Sequence, residues 1–323
     1  MAIGNWETIN RPNRQNDNPA NEHALVIPEF TGIVEGTLAR KSVVEPWIPM
    51  RKVTGTAVVT NYAVGESTLG KVQPGEAPKS TVNKFSRNQL VIDTTVYARN
   101  AIPDLDVFQT NFDARKQVGE EHGKKIAKFR DQSFLIQAAK AAQLTQSPFG
   151  STDGHQGGST YTLGASGDRS DPSKLYYALG RILEQMEEKD VDPLTDDVAI
   201  FLRPAEYYTL LDAEQLTSGE FITSEGNSIK TRILSAYGVP VFSTNNLPNS
   251  VITDHFLGAD YNGDFSKLVA VAFSPRALLA GETISLTSDV WYDKLYMQWF
   301  VDSKMAYGVA PNRPEFAAAV LAP

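Results

Sequence analysis

The readiest general bases and metal ligands in the chain are His23, His122, His155 and His255. None has a second ligand at helical spacing, and H-E-x-x-H is absent. His23 and His155 sit in flexible polar stretches, and His122 reads as a solvated residue of a helix. Asp260, Asn262 and Asp264 stand at i, i+2 and i+4, as at the start of a calcium loop. Such a loop also needs Gly sixth and Glu twelfth. Phe265 and Val271 occupy those places, so an Asp/Asn/Gly turn is expected instead. The adjacent acids Glu187-Glu188 and Asp196-Asp197 fall at a helix end and before a strand. Neighbours in sequence do not face each other on a helix, so these are solvated charges and not an acid/base pair. Phosphate-binding and nucleophile-elbow motifs are missing. There is no cysteine, hence no disulfide and no thiolate metal site. No catalytic, cofactor-binding or metal residue is therefore assigned, and no cofactor is expected.

The chemistry is sparse, but the elements are distinct. With 323 residues and 41% hydrophobic content, the chain can bury two substantial cores. Lys and Arg number 30 against 38 Asp and Glu, a net charge of -8, so the cationic footprint of a nucleic-acid binder is absent. No apolar run is long enough for a membrane helix, and no apolar secretory core is visible near the start. Synthesis in a cytoplasm is the expectation.

Residues 1–24 are Asn-rich and polar, with Pro12 and Pro19, and read as an arm. Residues 31–43 predict a short helix, capped by Thr31 and ended by Pro46 and Pro49. Residues 51–64 are β-branched, as are 90–97, where Leu90, Ile92, Thr94 and Val96 share a face. A Gly/Pro/polar stretch joins them, which predicts a long two-stranded hairpin. A lone hairpin is marginal in water, so its tip needs a partner, and a neighbouring subunit is the natural one.

Residues 111–144 predict one helix of roughly 50 Å, capped by Asn111 or Asp113, charged in its first half and apolar in its second. Residues 145–171 read as a Gly/Ser/Thr loop. Asp171 and Pro172 open a helix over 172–189, with Leu175, Leu179, Ile182, Leu183 and Met186 as its stripe. Strands follow at 197–202, 238–242 and 268–273, with helices from Pro204 and over 227–236. This alternation makes 172–282 a mixed α/β domain. The tail is strand-rich and is expected to return onto the long helix. Its Trp291, Tyr296 and Trp299 are expected to pack in a core.

The order of these parts resembles the HK97-fold major capsid proteins of tailed bacteriophages. GTLARKSVVEPWIPMRKVTGTA, PGEAP, LVIDTTVYARNAIPDLD, FLRPAEYYTLLD, AYGVPVFSTNNLP and AYGVAPNRPEFAAAV resemble the short-tailed, T7-like podovirus branch. The resemblance implies an α+β, HK97-like capsid fold in five parts. They are an N-terminal arm and helix (1–50), an E-loop hairpin (51–98), a P-domain spine helix and hinge (99–171), an A-domain (172–282) and P-domain strands (283–323). It implies a subunit that assembles with itself, as hexamers and pentamers, into an icosahedral head enclosing double-stranded DNA without reading its sequence. Scaffolding protein, a portal and a decoration or cement protein are the further partners implied. The virion, assembled in the host cytoplasm, is the implied location, with no membrane. The acidity suits a passive wall around DNA. Intersubunit contacts are expected at Lys71, Gln73, Glu76, Lys79, Lys84 and Arg87. Some HK97-fold shells form Lys–Asn cross-links, but the T7-like pattern implies none.

Three other readings compete. An encapsulin-type compartment shell shares the fold and would be encoded beside a cargo enzyme. A soluble hydrolase would need a nucleophile–base pair in the 150–170 loop, where Ser166 and His155 lie. A tail or receptor-binding protein would show fibrous β repeats, which are absent.

Overall fold

The structure, a computed structural model, describes residues 44–75, 77, 80, 82–109, 114–150, 154–212 and 234–323. The expected arm, the helix at 31–43, the caps Asn111 and Asp113, and Glu76 and Lys79 lie outside them. The chain forms two compact units. Among the described residues one comprises 95–129 and 284–306, the other 44–94, 130–283 and 307–323.

Strands β1 (Met50–Lys52), β12 (Leu278–Asp293), β13 (Gln298–Pro311) and β4 (Thr95–Pro103) form a sheet in the order β1-β12-β13-β4. In the first unit β13 pairs antiparallel with β4, from Gln298↔Pro103 to Ala306↔Thr95. Helix α1 (Asp104–Gln109) follows β4, and α2 (Ala114–Gln143) is the predicted long helix, about 45 Å at 1.5 Å per residue. His122, expected to be solvated, is buried. Its Nε2 lies 3.2 Å from Asn100 Oδ1, and burial lowers its pKa. The helical face that carries it packs inward, which the charged composition around it conceals.

The second half of α2 is buried on every side, with Phe134, Leu135, Ile136, Ala138, Ala139, Ala141 and Ala142 inaccessible. A helix apolar all round must lie inside a core. In the second unit, strands β5 (Ser159–Thr162), β14 (Ala317–Leu321), β11 (Leu268–Phe273), β6 (Ala199–Leu202), β8 (Val239–Ser243) and β7 (Leu234–Ala236) form a six-stranded sheet in that order. Every residue of β6 and β11 is buried, as their unbroken apolar runs require.

Helix α3 (Pro172–Glu187) has its predicted stripe buried. Asp171 caps it, accepting from the N–H groups of Ser173 and Lys174 at 3.0 and 3.3 Å. Helix α4 (Pro204–Leu211) begins at its predicted proline. Two-residue strands β9 (Val251–Ile252) and β10 (Gly263–Asp264) flank the Asp260 segment, which makes a single 3-10 turn.

Two departures from the sequence-based expectations concern strands. β5 lies in the stretch expected to be loop. Its Ser/Thr composition suggests a turn, but β14, from the far end of the chain, supplies a parallel partner. Residues 234–236, expected to be helical, form β7; the rest of that expected helix lies outside the described residues. Tyr237 (φ 54°) and Gly238 (φ 82°) then make the two-residue reversal into β8. The tail does return onto the long helix, Tyr307 Oη lying 3.0 Å from Ser133 Oγ, and its last strand, β14, pairs antiparallel with β11.

Candidate functional site

The hairpin consists of β2 (Val58–Val64) and β3 (Phe85–Val91), antiparallel from Val58↔Val91 to Val64↔Phe85. The expected second strand at 90–97 is thus divided: 85–91 pair with β2, and 95–103 form β4. The β-branched run at 90–97 is continuous in type, but its chain turns from one sheet to another within it.

Alternation sorts the hairpin into two faces. On the inner face Val59, Leu90 and Ile92 pack with Leu279, Val53 and Ala310. Glycines make this approach possible. A Cβ on Gly281 would lie 2.6 Å from Val59 Cγ2, and one on Gly308 would lie 3.2 Å from Leu90 Cδ1. Asn61 Nδ2 donates to Asn312 Oδ1 at 3.0 Å, and Asn88 Nδ2 donates to the Pro311 carbonyl at 2.8 Å. The root of the hairpin is therefore held by an apolar core and two amide hydrogen bonds.

The outer face carries Tyr62 and Val64 beside Phe85 and Arg87. Tyr62 is 74% exposed and Phe85 76%. Beyond them Leu69 and Val82 stand almost wholly in solvent. Of the residues expected to make contacts, Lys71, Gln73, Lys84 and Arg87 are exposed along this arm. The sequence reading missed the apolar members. Its signal was available, since β2 has apolar residues on both faces, where a surface strand would keep one polar. Exposed apolar clusters of this kind mark interaction surfaces.

A second exposed group lies in the first unit, at the turn between β12 and β13, where Leu295, Tyr296 and Met297 are exposed. The nearby aromatics were expected in a core, but none of Trp291, Tyr296 and Trp299 is fully buried. Trp291 stacks on Phe300 at 4.7 Å, and Tyr292 packs on Trp299 at 5.1 Å. The indole N–H of Trp299 donates to Asp104 at 3.1 Å, and that of Trp291 to Asp302 at 3.0 Å. An indole needs a polar partner, so these rings settle where a carboxylate is near and water still reaches.

Asp302 also accepts a two-pronged bond from Arg99, at 2.6 and 2.7 Å. Burial works to raise its pKa, but the hydrogen bonds from Arg99 and Trp291 outweigh it and leave the carboxyl below its ordinary value. A depressed carboxylate contributes stability above its unfolded pKa and loses it as pH falls through the folded one. Arg99 is half-exposed, so the contribution is about 1 kcal/mol. Acidifying from pH 7 to pH 3 is expected to cost the wild type that much more than Asp302→Asn, measured by urea unfolding at both pH values. Equal losses would refute it.

His155, expected in a flexible loop, has a side chain only 4% exposed, packed against Phe149 and 3.8 Å from Glu315. Burial of the Glu315 carboxyl pushes its pKa up. His155 Nε2 faces the Val64 carbonyl at 3.4 Å. Ser166 opens a short 3-10 turn, Ser166–Ser170, and among the described residues it is not bonded to His155. Nor, among those residues, do three or more His, Asp or Glu side chains gather as a metal site. No described helix is long and apolar enough to cross a membrane.

The geometry is that of a subunit with surfaces to be covered, and the comparisons agree. The structure of the cyanophage P-SCSP1u capsid is similar, with a TM-score of 0.79 at 19% identity, covering 96% of this chain and 97% of that one. The mature capsid of bacteriophage PhiM1 gives 0.78 at 20% identity, covering 98% and 97%. Mycobacterium phage Che8 gives 0.62 at 15%, covering 91% and 96%. The fold is the HK97-like capsid fold. Among curated proteins no sequence matches. A model of the phage capsid protein family matches residues 87–320, well over half of the chain. The chain belongs to the phage capsid protein family, and its role is that of a structural subunit of the head shell.

Proposed function

We propose that this chain assembles as hexamers and pentamers into the icosahedral head of a short-tailed, T7-like phage, around double-stranded DNA. Within this reading 51–98, with β2–β3, is the E-loop, 172–282 the A-domain, and 99–171 with 283–323 the P-domain. The hairpin carries the proposal. Its root is fixed to its own subunit, while its outer face leaves Tyr62, Val64 and Phe85 uncovered. Burying those side chains against a second copy is favourable by roughly 1.5–3 kcal/mol each. Lys71, Gln73, Glu76, Lys79, Lys84 and Arg87 then supply a polar rim to that contact.

Scaffolding protein and a portal would guide assembly in the host cytoplasm, and a cement protein could bind the finished virion. The chain has no enzymatic activity in this reading. An encapsulin-type compartment is disfavoured, because the family matched is that of phage capsids.

The test is electron microscopy of the purified protein, with and without its scaffolding partner. Closed shells are expected, and a protein that stays monomeric in both preparations would overturn the proposal. Phe85→Glu places a charge on the uncovered face. It is expected to cut shell yield at least about tenfold while the melting temperature stays within about 2 °C. A matching fall in melting temperature would instead mean that Phe85 serves its own subunit.

A further inference from the structure

Beside the hairpin root, the second unit holds a recess of about 400 Å³ lined by three guanidinium groups, Arg51, Arg276 and Arg313. Pro49, Phe149, Pro275 and Leu278 form apolar walls. Three arginines around one small recess stand out in a chain with a net charge of -8.

Their own chain pairs only one of them at hydrogen-bond distance. Arg276 is paired with Asp196 at 2.6 Å. Arg313 lies 3.7 Å from Glu315, within ion-pair range but too far for a hydrogen bond. Arg51 is exposed and has no ion pair among the described residues. Arg276 and Arg313 both stand over the ring of Phe316, each 5.7 Å from its centre. One aromatic ring thus keeps two like charges at the same place. The recess also adjoins the uncovered hairpin face, because Tyr62 lines both.

We propose that this recess is an anion site that takes an Asp or Glu side chain from a second copy of the chain. The inference rests on the self-assembly proposed above. A planar guanidinium presents paired donors that match a carboxylate, and a second copy seated over the recess would shield the pair from water. A single side chain can enter a walled recess, whereas a hydrated nucleic-acid backbone lies across a surface. The supply is ample, with 38 acidic residues in every copy. Arg51 is the main donor to the incoming carboxylate, and Arg313 the second.

Arg51→Lys places a primary amine at the site with its charge kept. Shells assembled from mixed isotope-labelled and unlabelled subunits would be treated with a zero-length carbodiimide and analysed by mass spectrometry. An amide from position 51 to an Asp or Glu of the other isotope is expected. Shells that form but yield only same-isotope cross-links at position 51, or none, would overturn the site and leave self-assembly standing. Failure of the wild type to assemble would overturn both. Arg51→Glu is expected to weaken assembly about tenfold, with partial rescue when the cross-linked acid is changed to Lys. Protection of position 51 from the reagent by a short DNA duplex, with no inter-isotope product, would assign the site to phosphate and refute the proposal.

Discussion

Gly158→Ala is expected to lower the melting temperature by about 10 °C or more and to remove most soluble protein. A Cβ at this position would lie 2.3 Å from the Ala141 carbonyl oxygen and 2.4 Å from that of Ala142. Those atoms belong to the last turn of α2 and cannot rotate away as a side chain could. The segment cannot retreat either. Gly158 N–H donates to Leu144 O at 2.7 Å, and Lys189 Nζ holds the carbonyls of Gly157 and Gly158 at 2.9 and 2.7 Å. One residue later the chain enters β5, locked in register with β14. A forced shift would break both sets of bonds, at a cost of about 4 kcal/mol or more. Gly167→Ala is the control, since no atom lies within 4 Å of its Cβ position and its φ is not positive. Differential scanning fluorimetry of the two variants decides the matter, and an unchanged midpoint for Gly158→Ala would show that the packing is wrong.

Phe201→Ala is expected to cost about 3–5 kcal/mol, the range for emptying a fully buried aromatic site. Phe201 is inaccessible at the centre of β6. Its ring stacks on Phe273 at 5.1 Å and Phe242 at 5.8 Å, and Trp47 meets it edge-on at 5.8 Å. Strands β6, β8 and β11 are neighbours, so one ring joins three strands. Trp47 is tied in turn by its indole N–H to the Asp197 carbonyl at 3.1 Å. The void would loosen this whole cluster, and shells should not form at 37 °C. Phe201→Leu refills most of the space and should cost less than about half as much. The urea midpoint of each variant measures the difference, and equal midpoints would refute the argument.

Local signals were legible where one element carries its own instructions. Asp171 and Pro172 marked the start of α3, and the LVAVAF run marked β11 to the residue. The long helix was visible in the same way, because a switch from charged to apolar composition is a property of the segment itself. Strand pairing was not. Ser159–Thr162 looked like loop because its partner lies at Ala317–Leu321, and no local pattern records so distant a parallel neighbour. The division of 85–103 between two sheets escaped for the same reason.

The assembly surfaces divide likewise. The proposed polar contacts Lys71, Gln73, Lys84 and Arg87 follow from a polar tip. The proposed apolar ones, Tyr62, Val64 and Phe85, emerge only once the core has claimed the opposite face. Through composition and local pattern, the sequence alone determined a cysteine-free chain with a long helix, a hairpin and a mixed α/β domain, and its order of parts resembled phage capsids. Tertiary structure decided which face of the hairpin is left over. It also brought Arg51, Arg276 and Arg313 together from three distant places, because burial and charge are sums over neighbours that only folding assembles.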